Sequence, residues 1–160
     1  MGLVGALCAT AVLVQQRRRE QRLRELADAA LRQLSVEHEH GQRTLEALDQ
    51  GVALSSLEGE VLMLNSAGER ILGFDAAELA RRFQTGEWET YREDGSILPL
   101  EERPIRRTME TGQGVRDTTV VWHTGKGAAV TLRVATQPVH DSDGVLTGVV
   151  TAFSDITAER

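Results

Sequence analysis

DGVLTGVVTAFSDITAER, residues 143–160, is the stretch that decides the fold. Asp143-Gly144 is typical of a turn, and the apolar run at 145–153 predicts a buried β-strand. Asp155-Ile156-Thr157 follows the strand and offers two good helix caps, because short polar side chains accept hydrogen bonds from free backbone N–H groups. A strand that passes directly into a helix start is typical of a connector. We therefore expect residues 158–160 to begin a linker to an output segment outside this sequence.

Two further strands are predicted directly upstream. Residues 115–123 and 128–139 are rich in Val and Thr, and apolar residues recur at every second position between 130 and 136. The turns TGKG and HDSDG separate these strands from each other and from the last one. The second half of the chain therefore predicts three antiparallel strands joined by tight turns.

The segment before these strands predicts a hairpin and short helices. Residues 51–56 and 61–64 are short strands separated by the turn LEGE. Asn65 is a good N-cap for the helix that follows, and Gly73 ends that helix. Further helices are predicted over residues 75–82 and 100–112. Strands and helices in this arrangement indicate an α+β domain with one antiparallel sheet.

This order of elements resembles a PAS domain with its C-terminal PAC part. Residues 60–74, EVLMLNSAGERILGF, are similar to the second strand and following helix of that family. Residues 92–117 are similar to its connecting segment and long helix. Residues 137–157, ending in Asp-Ile-Thr, are similar to its last hairpin and terminal motif. The resemblance covers about residues 42–158, and we place the domain itself at 51–157.

The resemblance implies a five-stranded antiparallel sheet, in which the first strand (51–56) and the last (145–155) lie side by side, with short helices on one face enclosing a small pocket. PAS domains sense a ligand, light, redox state or oxygen, or serve as dimerisation modules. By this resemblance Asp155, Ile156 and Thr157 are the signal output, which passes the state of the domain to an effector such as a histidine kinase. The predicted function is a non-catalytic sensory and dimerisation module of a bacterial signal-transduction protein. The alternative is a ligand-free dimerisation module that acts on a separate kinase or in transcription regulation.

A set of apolar residues from the strands and the first short helix is expected to line the pocket: Val52, Leu54, Leu64, Ile71, Leu72, Leu132, Val134 and Phe153. The same residues could equally fill a closed core. The sequence does not distinguish these two interpretations and identifies no ligand.

Several kinds of site find no support in the sequence. The single cysteine, Cys8, lies outside the predicted fold, so the covalent flavin chemistry of photoreceptors in this family is not expected. The predicted helix at 100–112 contains no histidine, which argues against haem. We see no metal-ligand spacing, phosphate loop or nucleophile–base pair, and we predict no enzyme activity. The formal net charge of −6 argues against direct nucleic-acid binding, which requires clustered positive charge.

Residues 17–50 predict an amphipathic helix. They contain good helix formers and no proline. Leucines recur at heptad-like spacing, so we predict the seam of a parallel homodimeric coiled coil, formed by Leu23, Leu31, Leu34, Leu45 and Leu48. A solvated single helix is the alternative.

Residues 1–16 begin with an apolar run that is followed by a cluster of arginines between 17 and 24. The run is shorter than the ~20 residues that a bilayer core requires. Positive charge after an apolar segment is typical of the cytoplasmic side. We therefore expect a short or truncated membrane anchor, with the domain at the cytoplasmic face of the inner membrane, or in the cytoplasm if the run is a helix end without contact to lipid.

Overall fold

The computed structural model of the protein describes residues 2–37 and 49–159. It confirms an α+β architecture with a long N-terminal helix, short helices and an antiparallel sheet. The helices are α1 (Gly2–Glu37), α2 (Ser66–Leu72), α3 (Ala76–Thr85) and α4 (Pro104–Thr111). The strands are β1 (Gly51–Ser56), β2 (Val61–Leu64), β3 (Thr90–Tyr91), β4 (Val115–His123), β5 (Ala129–His140) and β6 (Leu146–Asp155). Short 3₁₀ turns lie at Leu100–Glu102 and Thr157–Glu159.

The sheet has the order β2-β1-β6-β5-β4-β3, and all neighbouring strands are antiparallel. The prediction of five strands omitted β3, a two-residue strand that pairs with β4 at the edge. Two residues are too few to give a detectable alternation of polar and apolar positions. The predicted pairing of the first and last strands is confirmed, since Ala53 of β1 lies opposite Thr151 of β6.

Asn65 fixes the start of α2 to the start of the sheet. Its side-chain Oδ1 accepts hydrogen bonds from the N–H groups of Gly68 at 2.8 Å and of Val52 at 2.9 Å. Its Nδ2 donates to the carbonyl of Gln50 at 2.9 Å. The predicted cap is therefore present, and the same side chain also holds the entry to β1. At the other end of α2, Gly73 takes a left-handed φ of 74°, as the predicted stop requires.

The two faces of the sheet carry separate apolar clusters, because successive side chains of a strand point to opposite faces. The inner face, covered by α2, α3 and α4, holds Ala53, Trp122, Leu132 and Phe153 among others. The outer face holds a smaller cluster formed by Leu54, Val139, Val150 and Ala152.

Helix α1 covers part of the outer face, a packing for which no prediction was made from the sequence. Leu23 and Leu26 pack against the outer cluster, and Arg22 donates a hydrogen bond to Ser142 at 2.8 Å. Docking of α1 removes part of the apolar outer face from water. Each half-buried leucine contributes about 1 kcal/mol to the free energy of folding.

The predicted dimer seam is affected by this docking. Leu23 contacts the sheet of its own chain and is not on a free helix face. Leu31 and Leu34 lie in α1, but their side chains are outside the described part, and Leu45 and Leu48 lie outside the described residues. For these four leucines the seam stays a prediction. Among the described helices, none has both the length and the apolar character required to cross a bilayer.

Candidate functional site

A cavity of about 90 Å³ lies between the inner face of the sheet and the helices that cover it. Strands β1, β4, β5 and β6 form its floor, and α3, α4 and the segment around β3 form its walls. The lining is almost entirely apolar and aromatic. Its main members are Ala53, Leu72, Leu79, Phe83, Trp88, Ile105, Val120, Trp122, Leu132, Val134 and Phe153.

The predicted pocket residues fall into three groups. Leu72, Leu132, Val134 and Phe153 line the cavity. Leu64 and Ile71 pack against the inner cluster beside the cavity without lining it.

The placement of Val52 and Leu54 in the pocket is wrong, because both lie in the outer cluster. Their neighbours Ala53 and Ser55 face the cavity instead. The larger apolar side chains of β1 thus belong to the outer face, which α1 covers. No pattern in the sequence indicated that this second face is also buried.

Three polar atoms in the cavity wall have no hydrogen-bond partner among the described residues. They are Trp88 Nε1, Thr90 Oγ1 and Thr151 Oγ1. Such orphaned groups are rare in folded proteins, and each costs about 1–3 kcal/mol when buried. Another hydroxyl pair nearby is satisfied, since Thr108 and Thr136 hydrogen-bond to each other at 2.6 Å. The wall therefore contains buried polar groups beside a space whose exposed lining is almost entirely apolar.

Arg103, directly before α4, brings a charge to the cavity wall. The residue is only 8% exposed. Its Nη1 donates to the carbonyl of Trp88 at 2.7 Å, its Nε donates to the carbonyl of Leu98 at 3.2 Å, and its guanidinium lies 5.1 Å from the Trp88 ring centre. Burial lowers the pKa of Arg103, and the more distant charges of Glu89 and Glu101 oppose that shift.

Aromatic rings build one side of the cavity. Phe83 and Trp88 lie with ring centres 3.8 Å apart, and Trp88 lies 5.8 Å from Trp122. Trp122 Nε1 donates to the carbonyl of Leu72 at 3.2 Å, which ties α2 to β4. Sequence reasoning missed Trp88 and Thr90 because they lie in the segment 83–100, where no periodicity shows which side faces inward. Arg103 was included in the predicted helix over 100–112, whereas α4 begins only at Pro104.

The predicted output segment forms a hydrogen-bonded turn at the end of β6. Asp155 Oδ1 accepts from the Thr157 N–H at 2.9 Å and from the Thr157 hydroxyl. The Thr131 N–H donates to Thr157 Oγ1 at 2.9 Å, and the Ile156 N–H donates to the Thr131 carbonyl at 2.8 Å. Ile156 is 4% exposed. The turn is therefore fastened to β5 as well as to β6.

The cavity wall and the terminal turn share the same two strands. Leu132 of β5 lines the cavity and pairs with Asp155 of the turn. Val134 and Phe153 are the next inward-facing pair along the strands, and both line the cavity. The cavity-lining residues Leu132 and Phe153 thus lie within two positions of Asp155, across the strand pair or along β6, so a displacement of the wall would also move the turn.

The residues of the wall bear on which groups the cavity could hold. Cys8, the single cysteine, is exposed on α1, so the wall offers no thiol to a flavin. Neither His123 nor His140 lines the cavity. Among the described residues, no group of three or more His, Cys, Asp or Glu side chains is placed to hold a metal ion.

Comparison with known protein families gives a single clear result. A family model described as the PAS fold matches residues 39–156, well over half of the chain. The chain belongs to the PAS family. PAS domains are generally sensory, non-catalytic modules, and a sensory module is the function that this membership supports. No curated protein sequence matches the chain.

Solved structures agree with this PAS assignment at the level of the fold. The PAS domain of the fruit-fly ELK potassium channel is 11% identical with a TM-score of 0.55, covering 79% of this chain and 97% of that one. The light-state dimer of the fungal blue-light photoreceptor Vivid is 18% identical with a TM-score of 0.54, covering 79% and 92%. An RNA-binding light-oxygen-voltage receptor is 21% identical with a TM-score of 0.51, covering 82% of this chain and 34% of that receptor.

Proposed function

We propose that this PAS domain is a non-catalytic sensory and dimerisation module of a bacterial signal-transduction protein. The state of its cavity is relayed through Asp155-Ile156-Thr157 to an effector such as a histidine kinase. The observation that carries the proposal is the shared wall: Leu132 and Phe153 line the cavity, and the output turn is bonded to the same strands.

The relay has a simple physical form. A ligand that binds one of two arrangements of the wall more tightly shifts the population toward that arrangement. Sheet hydrogen bonds are stiff, so β5 and β6 move with the wall. Because the Ile156 amide and the Thr157 hydroxyl are both bonded to Thr131, the helix start at residue 157 moves with them.

The proposal includes a homodimer formed through the helix over residues 17–50. Vivid, a PAS structure of similar fold, is described as a light-state dimer. In the relay, the proposed dimer segment precedes β1 in the sequence and the output segment follows β6, and these two strands are neighbours in the sheet. A rotation of the dimer segment would therefore be transmitted to the output segment through two adjacent strands, without passing through the core.

The test is a fusion of a histidine kinase output domain after Arg160, in heptad register. Asp155→Ala removes the acceptor of the turn and should change kinase output. The matched control is Asp141→Ala, since Asp141 accepts from the N–H groups of Asp143 and Val145 in a similar turn at the other end of the β5–β6 hairpin. Both variants should keep the circular dichroism of the folded chain.

The dimer part of the proposal is tested in the same fusion. Leu45→Ala and Leu48→Ala should each alter output while the chain stays folded. If Asp155→Ala, Leu45→Ala and Leu48→Ala all leave output equal to that of the parent, the terminal motif is a helix cap only. The chain is then better described as a ligand-free dimerisation module acting on a separate kinase or in transcription regulation.

Attachment to the cytoplasmic face of the inner membrane is also part of the proposal. It is supported by exposed apolar side chains on the first turns of α1, such as Leu7, Val12 and Leu13, followed by the arginine cluster. Fractionation should find the full chain with membranes, and deletion of residues 1–16 should release it. A full chain that stays monodisperse without detergent would contradict the attachment.

A further inference from the structure

The cavity combines an apolar lining with a small number of polar groups that have no hydrogen-bond partner in the described part of the chain. Trp88 Nε1 is a donor only, and the hydroxyls of Thr90 and Thr151 can donate or accept. All three belong to the cavity wall. Thr90 is 4% exposed, so water does not readily compensate its hydroxyl. A ligand with acceptor oxygens would satisfy these groups.

Of the described residues that line the cavity, only Arg103 is charged. Its Nε and Nη1 are held by the carbonyls of Leu98 and Trp88, and both hydrogens of Nη2 lack an acceptor among the described residues. Glu89 and Glu101 act on it from a distance, and neither forms an ion pair with it. A guanidinium that is 8% exposed and lacks a contacting anion is unusual, because buried charges are normally paired.

The size of the cavity limits what can occupy it. A cavity of about 150 Å³ lined by apolar residues holds a benzene molecule, which corresponds to roughly 25 Å³ for each non-hydrogen atom. At that ratio, the 90 Å³ here accommodates about four non-hydrogen atoms. Acetate, with four non-hydrogen atoms, matches this volume, and propionate, with five, is the next larger homologue.

We propose that the cavity binds a short aliphatic monocarboxylate, of the size of acetate or propionate. Its carboxylate would accept hydrogen bonds from Nη2 of Arg103 and from the orphaned donors of the wall, and its alkyl end would contact Leu132 and Phe153. The inference rests on the proposed sensory function, since it names the ligand class of the same cavity.

The chemistry of the wall favours a carboxylate over other small anions. Arginine matches a carboxylate in shape, and a single delocalised charge is balanced by a single guanidinium. Sulfate carries two negative charges, and phosphate carries between one and two near neutral pH, whereas the one guanidinium of the wall balances a single negative charge. A neutral alcohol or amide would leave the charge of Arg103 without a counter-ion.

The experiment measures binding of sodium propionate and sodium acetate to the full chain, by calorimetry and by the shift of the unfolding midpoint. Propionamide is the neutral control, sodium sulfate the control for other anions, and sodium benzoate the control for size. The proposal expects saturable binding of propionate or acetate and a concentration-dependent rise of the midpoint. Propionamide, sulfate and benzoate should each bind at least about tenfold more weakly, a difference of about 1.4 kcal/mol.

Variants locate the ligand in the cavity. Thr151→Val has nearly the same shape and removes one hydroxyl, so it should weaken propionate binding about five- to tenfold. Because that hydroxyl has no hydrogen-bond partner among the described residues, the ligand-free chain should be no less stable. Thr119→Val, in β4 and outside the cavity wall, is the matched control and should leave binding unchanged. Arg103→Lys keeps the charge but loses the planar fork, and should weaken binding more than Thr151→Val.

The outcomes separate this proposal from the sensory function. Absence of saturable propionate and acetate binding, or equal binding of propionamide, overturns the ligand class. Equal binding of benzoate overturns the size argument. Neither result touches the relay, which is tested by the Asp155→Ala fusion. Conversely, if propionate binds the chain but does not change the activity of the fused kinase, the relay is overturned and the proposed ligand class stands.

Discussion

Replacement of Asn65 by alanine should destabilise the domain far more than loss of an ordinary helix cap. In the folded chain this one side chain makes three hydrogen bonds: it accepts from Gly68 in α2 and from Val52 in β1, and it donates to the carbonyl of Gln50. Asp75 is the matched comparison, since its side chain caps α3 through a single bond from the Glu78 N–H at 2.8 Å.

The magnitude follows from the number of bonds and their burial. Each hydrogen bond contributes about 1 kcal/mol net, and the Asn65 bonds are partly buried, so Asn65→Ala should lower the free energy of unfolding by about 3 kcal/mol. Asp75→Ala removes one exposed bond and should cost about 1 kcal/mol. Asn65→Asp keeps both acceptor functions but sets an oxygen against the Gln50 carbonyl, so its cost should lie between the other two.

Urea unfolding of the full chain, followed by circular dichroism, measures these differences from the midpoints at constant slope. The three variants should rank Asp75→Ala, Asn65→Asp, Asn65→Ala in order of increasing loss. If Asn65→Ala costs no more than Asp75→Ala, the bonds to β1 and Gln50 add nothing. The view of Asn65 as the link between helix and sheet would then be refuted.

Three other variants test the packing and charge of the domain. A Cβ at residue 51 would lie 2.2 Å from the Phe153 ring, so Gly51→Ala should lower the free energy of unfolding by about 1–3 kcal/mol. Combining it with Phe153→Leu should recover part of that loss. If the double variant loses the simple sum of the two single losses, the clash is contradicted. Leu26→Asp should expose the outer face and lower the free energy of unfolding by about 1–2 kcal/mol, whereas Leu13→Asp, at a residue that is 57% exposed, should leave it unchanged. Hydrogen bonds from Arg81 and Arg82 hold the pKa of Glu78 at about 2 against an ordinary 4.5, so its ion pairs stabilise the fold fully above pH 4.5 and lose that effect as the pH falls toward 2. The stability difference between the parent and Glu78→Gln should shrink across this window in urea titrations, and a constant difference would exclude the pairing.

The strands and caps could be predicted from the sequence because their signals are local. The alternation in 130–136, the N-cap at Asn65 and the helix stop at Gly73 each depend on a few neighbouring residues. Pairing of the first and last strands followed from the family resemblance, and the register of Ala53 with Thr151 bears it out. β3 is too short to carry a period of its own.

The candidate site was less accessible to sequence reasoning. Leu132 and Val134 share one face by the alternation at 130–136, and Phe153 was added as an apolar residue of the last strand. Val52 and Leu54 were misplaced, because an apolar residue on a strand does not reveal which of two buried faces it occupies. The second buried face exists because α1 docks on it, a contact between residues more than a hundred positions apart in sequence, such as Arg22 and Ser142. Arg103 and Trp88 lie in irregular backbone, where the chain direction is set by tertiary contacts.

The central claim is that the cavity and the terminal turn are mechanically coupled, and amide hydrogen exchange at Ile156 tests it most directly. Ala53→Val fills part of the cavity from β1 without touching the turn. Coupling predicts that the Ile156 amide, which is bonded to the Thr131 carbonyl, exchanges several-fold more slowly in this variant. The Val145 amide, bonded to Asp141 at the far end of β6, should exchange at the parent rate. Unchanged exchange at Ile156, or equal slowing at Ile156 and Val145, would contradict a relay from the cavity to the turn.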